Sequence, residues 1–118
     1  MRPVRVLFLL TILVFSQSAF AELRLTETEA GKAFKSGDYD KALTGLKALL
    51  EEYPDDAVTI LRYIGISYHR LGQYEKAIAA FEQALEIDPQ NVPALFYMAS
   101  TYFKISDSAA AREIFERI

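Results

Sequence analysis

The chain contains no cysteine and no tryptophan, and its only histidine is His69. Without cysteine there is no disulfide framework, no thiolate metal site and no lipid-bearing thiol. One histidine cannot build a His/Cys metal cluster. Also absent are a nucleophile elbow, a phosphate-cradling glycine loop and a Ser/His/Asp set. Ser67 and His69 stand two apart and do not share a helix face. These gaps remove the common routes to catalysis, so no enzyme activity, cofactor, metal or small-molecule substrate is expected. Glycine and proline are scarce, five and four among 118 residues, so each marks a definite interruption.

What is present is a globular composition. The chain is 52% hydrophobic and 25% charged, above the range of disordered segments, and its length limits it to one small domain. Residues 1–21 are expected to be a signal peptide outside that domain. Arg2 and Arg5 give a positive start, Val6–Phe15 is apolar except for Thr11, and Ala19-Phe20-Ala21 is an A-x-A cleavage pattern. Those ten residues span about 15 Å as a helix, half of a hydrocarbon core of about 30 Å. A cleaved leader is therefore expected, with export to the periplasm or outside the cell. The alternative is an uncleaved signal anchor that tethers the chain to the membrane. Beyond Ala21 the chain carries 11 basic and 16 acidic residues. That balance disfavours nucleic acid and anionic membrane surfaces as partners.

The remainder is organised around Val58–Asn91, 34 residues that read as two amphipathic helices. Leu61, Ile64, Gly65 and Tyr68 form one helical stripe, and Ala77, Ile78, Phe81, Ala84 and Leu85 form the next. Gly72 separates them and Asp88-Pro89 ends the second. A second copy precedes it. Gly37-Asp38-Tyr39-Asp40-Lys41-Ala42-Leu43 is echoed 35 residues later by Gly72-Gln73-Tyr74-Glu75-Lys76-Ala77-Ile78. The first helix of that copy is polar, with Thr26, Glu29, Ala30 and Ala33 on the stripe. A third copy holds Leu95, Met98, Ala99 and Tyr102, then Ala111 and Phe115. The domains are thus residues 22–56, 57–91 and 92–118, the last incomplete. Asp38, Asn91, the Ser106–Ser108 run and either Asp55 or Asp56 are placed to cap the helices they precede. Glu51-Glu52 and Asp55-Asp56, around Pro54, are read as solvated and cap-forming rather than cation-binding.

The ordered set Leu61-x2-Ile64-Gly65-x2-Tyr68, Ala77-x3-Phe81, Pro89 resembles the tetratricopeptide repeat. The resemblance implies an all-α fold of about three stacked antiparallel helix pairs forming an α–α superhelix. It implies a non-enzymatic module that holds a protein or peptide partner in a concave groove lined by the first helix of each pair. On that side helical spacing places Arg62, Ile66, His69 and Arg70 in the middle copy and Phe96, Ser100, Phe103 and Lys104 in the third. In the first copy the places fall on Glu27, Gly31, Phe34 and Lys35. Stacking would align the rings of Phe34, His69 and Phe103, either as peptide anchors or as packing between helices. Beside them Lys35, Arg70 and Lys104 either complement helix C-termini or grip an acidic ligand.

Ala111, Ile114, Phe115 and Ile118 form an inward stripe on the last helix, and the outer side of the third copy is left uncovered up to Ile118. That edge is expected to be sticky, with a homodimer as one outcome. Two rival readings follow: a structural subunit that assembles through this edge, or the N-terminal part of a longer repeat-containing export or envelope protein.

The leader reading predicts that protein recovered from the exported fraction starts at Glu22 by intact mass. Recovery of a chain that starts at Met1 and sediments with membranes would establish the anchor instead.

Overall fold

The computed structural model describes residues 20–118. The expected leader lies outside them except for Phe20 and Ala21. Helix α1 covers residues 20–27. It is followed by α2 (Glu29–Ser36), α3 (Tyr39–Glu52), a single 3-10 turn (Pro54–Asp56), α4 (Ala57–Arg70), α5 (Tyr74–Ile87), α6 (Val92–Lys104) and α7 (Ser108–Glu116). Among the described residues there is no strand. None of their helices is long and apolar enough to cross a membrane. Each helix packs on the next from α2 to α7, and α4 also meets α6. The result is a stack of helix pairs in which first helices touch one another along one side.

Local chemistry sets the ends of these helices. Gly37 and Gly72 close α2 and α4 with φ of 83° and 76°, and Ser106 takes the corresponding left-handed position after α6 with φ of 65°. At the starts, Asp38, Asn91 and Asp107 accept the backbone N–H of Lys41, Ala94 and Ala110 at 3.3, 3.0 and 3.1 Å. Neither Asp55 nor Asp56 caps α4, which instead starts from the proline-led 3-10 turn. The Asp56 carboxylate is turned to Arg24, 2.7 Å away.

Where the repeat pattern assigns one first helix to the first copy, the chain forms two, α1 and α2, broken at Thr28. The Thr28 Oγ1 donates to the Leu25 carbonyl at 2.6 Å and accepts the Gly31 N–H at 3.0 Å. A side chain at Gly31 would place its first carbon 2.1 Å from the Leu25 oxygen, so only glycine permits this bend. The polar stripe of this copy therefore reflects a break rather than only a solvated outer face.

The stack is joined through Phe81, which is 0% exposed. A Cβ at Gly65 would lie 2.5 Å from the Phe81 ring, so the absent side chain on α4 makes room for an aromatic on α5. On its other side the ring lies nearly parallel to Tyr97 of α6, with centroids 6.2 Å apart. One side chain thus joins three helices. Phe115 occupies the same position one repeat later, yet it is 43% exposed and meets only the edge of Phe96 among aromatic rings, at 6.1 Å. Ala111 and Ile114 of the expected stripe are buried, whereas Phe115 and Ile118 are not. Burial at this position requires a neighbour that does for Phe115 what α6 does for Phe81.

Phe81→Ala is accordingly expected to cost about 3–5 kcal/mol, a large share of the roughly 5–15 kcal/mol that holds a small domain folded. Phe115→Ala, the same substitution in the same register, should cost about 1 kcal/mol or less. Urea denaturation of the two variants tests this. Equal losses would mean that the two rings are equally covered.

Candidate binding surfaces

A cleft of about 830 Å³ opens at the N-terminal ends of the first helices. Its walls are Phe20, Ala21, Glu22 and Arg24 of α1, Asp55 and Asp56 of the 3-10 turn, Val58, Thr59 and Arg62 of α4, and Asp88 and Asn91 from the α5–α6 turn. Helix α1 is anchored there by charge. Glu22 takes hydrogen bonds from the Arg62 guanidinium and from the Tyr63 hydroxyl, the latter at 2.8 Å. Arg24 pairs with Asp56 and lies over the Tyr53 ring, 5.2 Å from its centroid. Burial, reinforced by the bond to Glu22, raises the Tyr63 phenol above its usual value. Both arginines of the cleft are thus neutralised by the chain itself. The other two carboxylates have no cationic partner among the described residues: Asp88 accepts the Asn91 amide at 3.2 Å, and Asp55 is exposed. Four carboxylates against two paired guanidiniums leave the cleft negative.

Of the eight residues expected on the partner side, only Arg62 lines this cleft. Ile66 is buried instead, at 6% exposure, because α6 covers it and it packs in the cluster that holds Ala94, Leu95 and Met98. His69 is half-buried, with its ring edge on Tyr74 at 5.6 Å and its Nδ1 2.8 Å from the Thr101 hydroxyl. Ser100 bonds back to the Phe96 carbonyl at 2.9 Å. Arg70, Phe103 and Lys104 are exposed near the C-terminal ends of α4 and α6. Phe96 is exposed too, but its ring turns toward Tyr97 and Phe115. The aligned row of rings is not formed as a free surface. Phe34 packs edge-on against Tyr39 and Tyr63 at 5.6 and 4.8 Å, leaving Phe103 as its open member. The residues that spacing missed, Val58, Thr59, Asp88 and Asn91, lie at the other end of the first helices.

The His69–Thr101 contact couples α4 to α6. Thr101 is fully buried and spends its one hydroxyl proton on the Tyr97 carbonyl, 2.7 Å away. It must therefore accept from His69, which assigns the proton to Nδ1 of the neutral ring. Burial first, then the charges of Arg70 and Lys104, lower the His69 pKa below 6.5. The folded chain consequently resists taking up a proton that the unfolded chain accepts. This contribution to stability is complete above pH 6.5 and is lost as pH falls from 6.5 through the lowered folded value. An NMR titration of the His69 ring should give a midpoint below 6.5, with thermal stability falling over the same window. A midpoint at or above 6.5 would show that the ring is solvated and the clasp open.

Two tetratricopeptide repeat family models match the chain, one over residues 29–92 and the other over residues 68–118. Among curated proteins, the chain is 30% identical over 90 residues to Protein CTR9 homolog of Arabidopsis thaliana, which covers 76% of this chain and 8% of that protein. It is 23% identical over 110 residues to human Intraflagellar transport protein 88 homolog, covering 89% of this chain and 13% of that protein. It is 29% identical over 105 residues to Tetratricopeptide repeat protein 8 of Caenorhabditis elegans, covering 86% and 21%. The chain spans about a fifth or less of these relatives. Such repeats generally mediate protein–protein interaction, and the matched segments coincide with the helix pairs α2–α7. This chain belongs to the tetratricopeptide repeat family.

Proposed function

We propose that the chain is a non-enzymatic protein-interaction module that receives a segment of a partner protein along its concave side, in the periplasm or cell envelope after export by the leader. The observation that carries the binding reading is the cleft of about 830 Å³ between α1, α4 and the α5–α6 turn. In the processed chain, which starts at Glu22 and so lacks Phe20 and Ala21, the apolar surface of the cleft comes from Val58, and its rim is polar. The positively charged start and the A-x-A pattern support the compartment. The contact path would run from Val58 and Thr59 past Arg62 to Arg70, Phe103 and Lys104, with His69 positioning α4 against α6 rather than touching the partner.

A second reading rests on a different observation. Phe96, Phe103, Ile105, Phe115 and Ile118 are all exposed around the outer side of α6 and α7. These are exposed apolar side chains, with Phe96 and Phe115 in ring contact, of the kind that bury themselves against another surface. On this reading the chain is an assembly subunit that pairs through that edge.

One variant set separates the two. Val58→Arg with Thr59→Arg fills the cleft, whereas Phe115→Ser with Ile118→Ser makes the edge polar without touching the first reading's contact path. In light scattering with a cross-linked partner, the cleft variant should lose the partner at least about tenfold while its own mass is unchanged. Partner binding that survives the cleft variant and disappears with the edge variant, together with a concentration-dependent dimer in the parent chain, would replace the first reading by the second.

A further inference from the structure

The opposite side of the stack carries a second concavity unlike the cleft. First helices touch along the inner side, and α4 fills the space between the second helices α3 and α5. Over α4 this leaves a groove of about 370 Å³. Leu61 and Ile64 of α4 form its floor, and Leu50 and Ala79 face it from α3 and α5.

Two ammonium groups border this groove. Lys47 of α3 and Lys76 of α5 both reach over the Tyr68 ring, with Nζ 5.3 and 5.8 Å from its centroid. Neither lysine has a carboxylate within ion-pair distance among the described residues. The ring attracts each cation but leaves both charges without a carboxylate. Incoming carboxylates would supply that compensation, while apolar side chains would cover the groove. The concave cleft shows the reverse polarity, with its cations already paired and its carboxylates in excess. The two sides therefore suit different occupants.

We propose that the α3–α5 groove is a second docking surface, for an acidic amphipathic helix of a partner protein. Its apolar residues lie against Leu50, Tyr68 and Ala79, above the buried Leu61 and Ile64, and its Glu or Asp side chains reach Lys47 and Lys76. A helix suits the site because the groove is bounded by two helices, and residues three and four apart place apolar and acidic groups side by side. This surface is separate from the concave cleft and does not depend on the reading given to it.

The probes are a synthetic helical peptide of leucine and glutamate with one apolar stripe, and its leucine–lysine counterpart. Each is titrated into the isotope-labelled chain and followed by NMR. The glutamate peptide should shift the resonances of Lys47, Tyr68, Lys76 and Ala79, and the lysine peptide should not. Lys47→Gln with Lys76→Gln should weaken binding about tenfold, the scale of two exposed ion pairs. Ala79→Gln, which crowds the groove without changing charge, should weaken it as well. The unchanged melting profile of each variant confirms that the fold is retained. Shifts confined to Thr59 and Arg62, or to Phe103 and Phe115, would overturn the proposal. So would binding of the double variant within twofold of the parent. A response of the groove to phosphatidylglycerol vesicles with none to the glutamate peptide would also overturn it, in favour of an anionic lipid surface.

Discussion

The stack depends on one constraint: a ring can be buried between helices only where a neighbouring backbone gives up its side chain. Phe81 enters the space left by Gly65 and is then covered by Tyr97. That arrangement fixes the approach of α4 to α5 and of α5 to α6 together. Because α6 closes over Phe81, it also covers the side of α4 that carries Ile66. The first helices consequently contact each other, and what remains open between them is displaced toward their N-terminal ends. The position of the cleft thus follows from packing in the core.

The parts of the fold legible in the sequence are those determined within one repeat. Glycine at Gly37 and Gly72, capping side chains at Asp38, Asn91 and Asp107, and the stripe that carries Phe81 each act over a few residues. Periodicity reports such short-range chemistry directly. The bend at Thr28 was less accessible because it needs three facts at once: a hydroxyl that bonds in both directions, a free Leu25 carbonyl and a bare Gly31 against it. A polar stripe alone reads equally well as a solvated outer helix.

The candidate site was legible only in part, for a related reason. Helical spacing identifies which residues leave the core stripe, but not which of them the chain uses for itself. Arg62 is placed on the concave side as spacing requires, yet Glu22, 40 residues earlier, has already engaged it. Ile66 leaves the stripe of its own repeat only to enter the interface with the next. His69 looks like an exposed imidazole until the buried Thr101 on another helix is considered. In a repeat stack the residues that depart from the shared pattern serve two ends, ligand contact and contact between neighbouring repeats. One copy of the pattern does not distinguish them.

The charge distribution gives these departures a direction. In the cleft acids meet arginines in pairs, Glu22 with Arg62 and Asp56 with Arg24, so the charge left over there is carboxylate. In the groove Lys47 and Lys76 are the charged side chains of the lining and share an aromatic ring, so the charge left over there is ammonium. The contrast is local to these two sites, since exposed Arg70 and Lys104 stand on the concave side and exposed Glu75, Glu82 and Glu86 on α5. A charged lining acts on a partner over about a Debye length, so each site would favour partners whose charge opposes its own. Apolar contact, through Val58 in the cleft and Leu61 with Ile64 in the groove, would decide which of them remains bound.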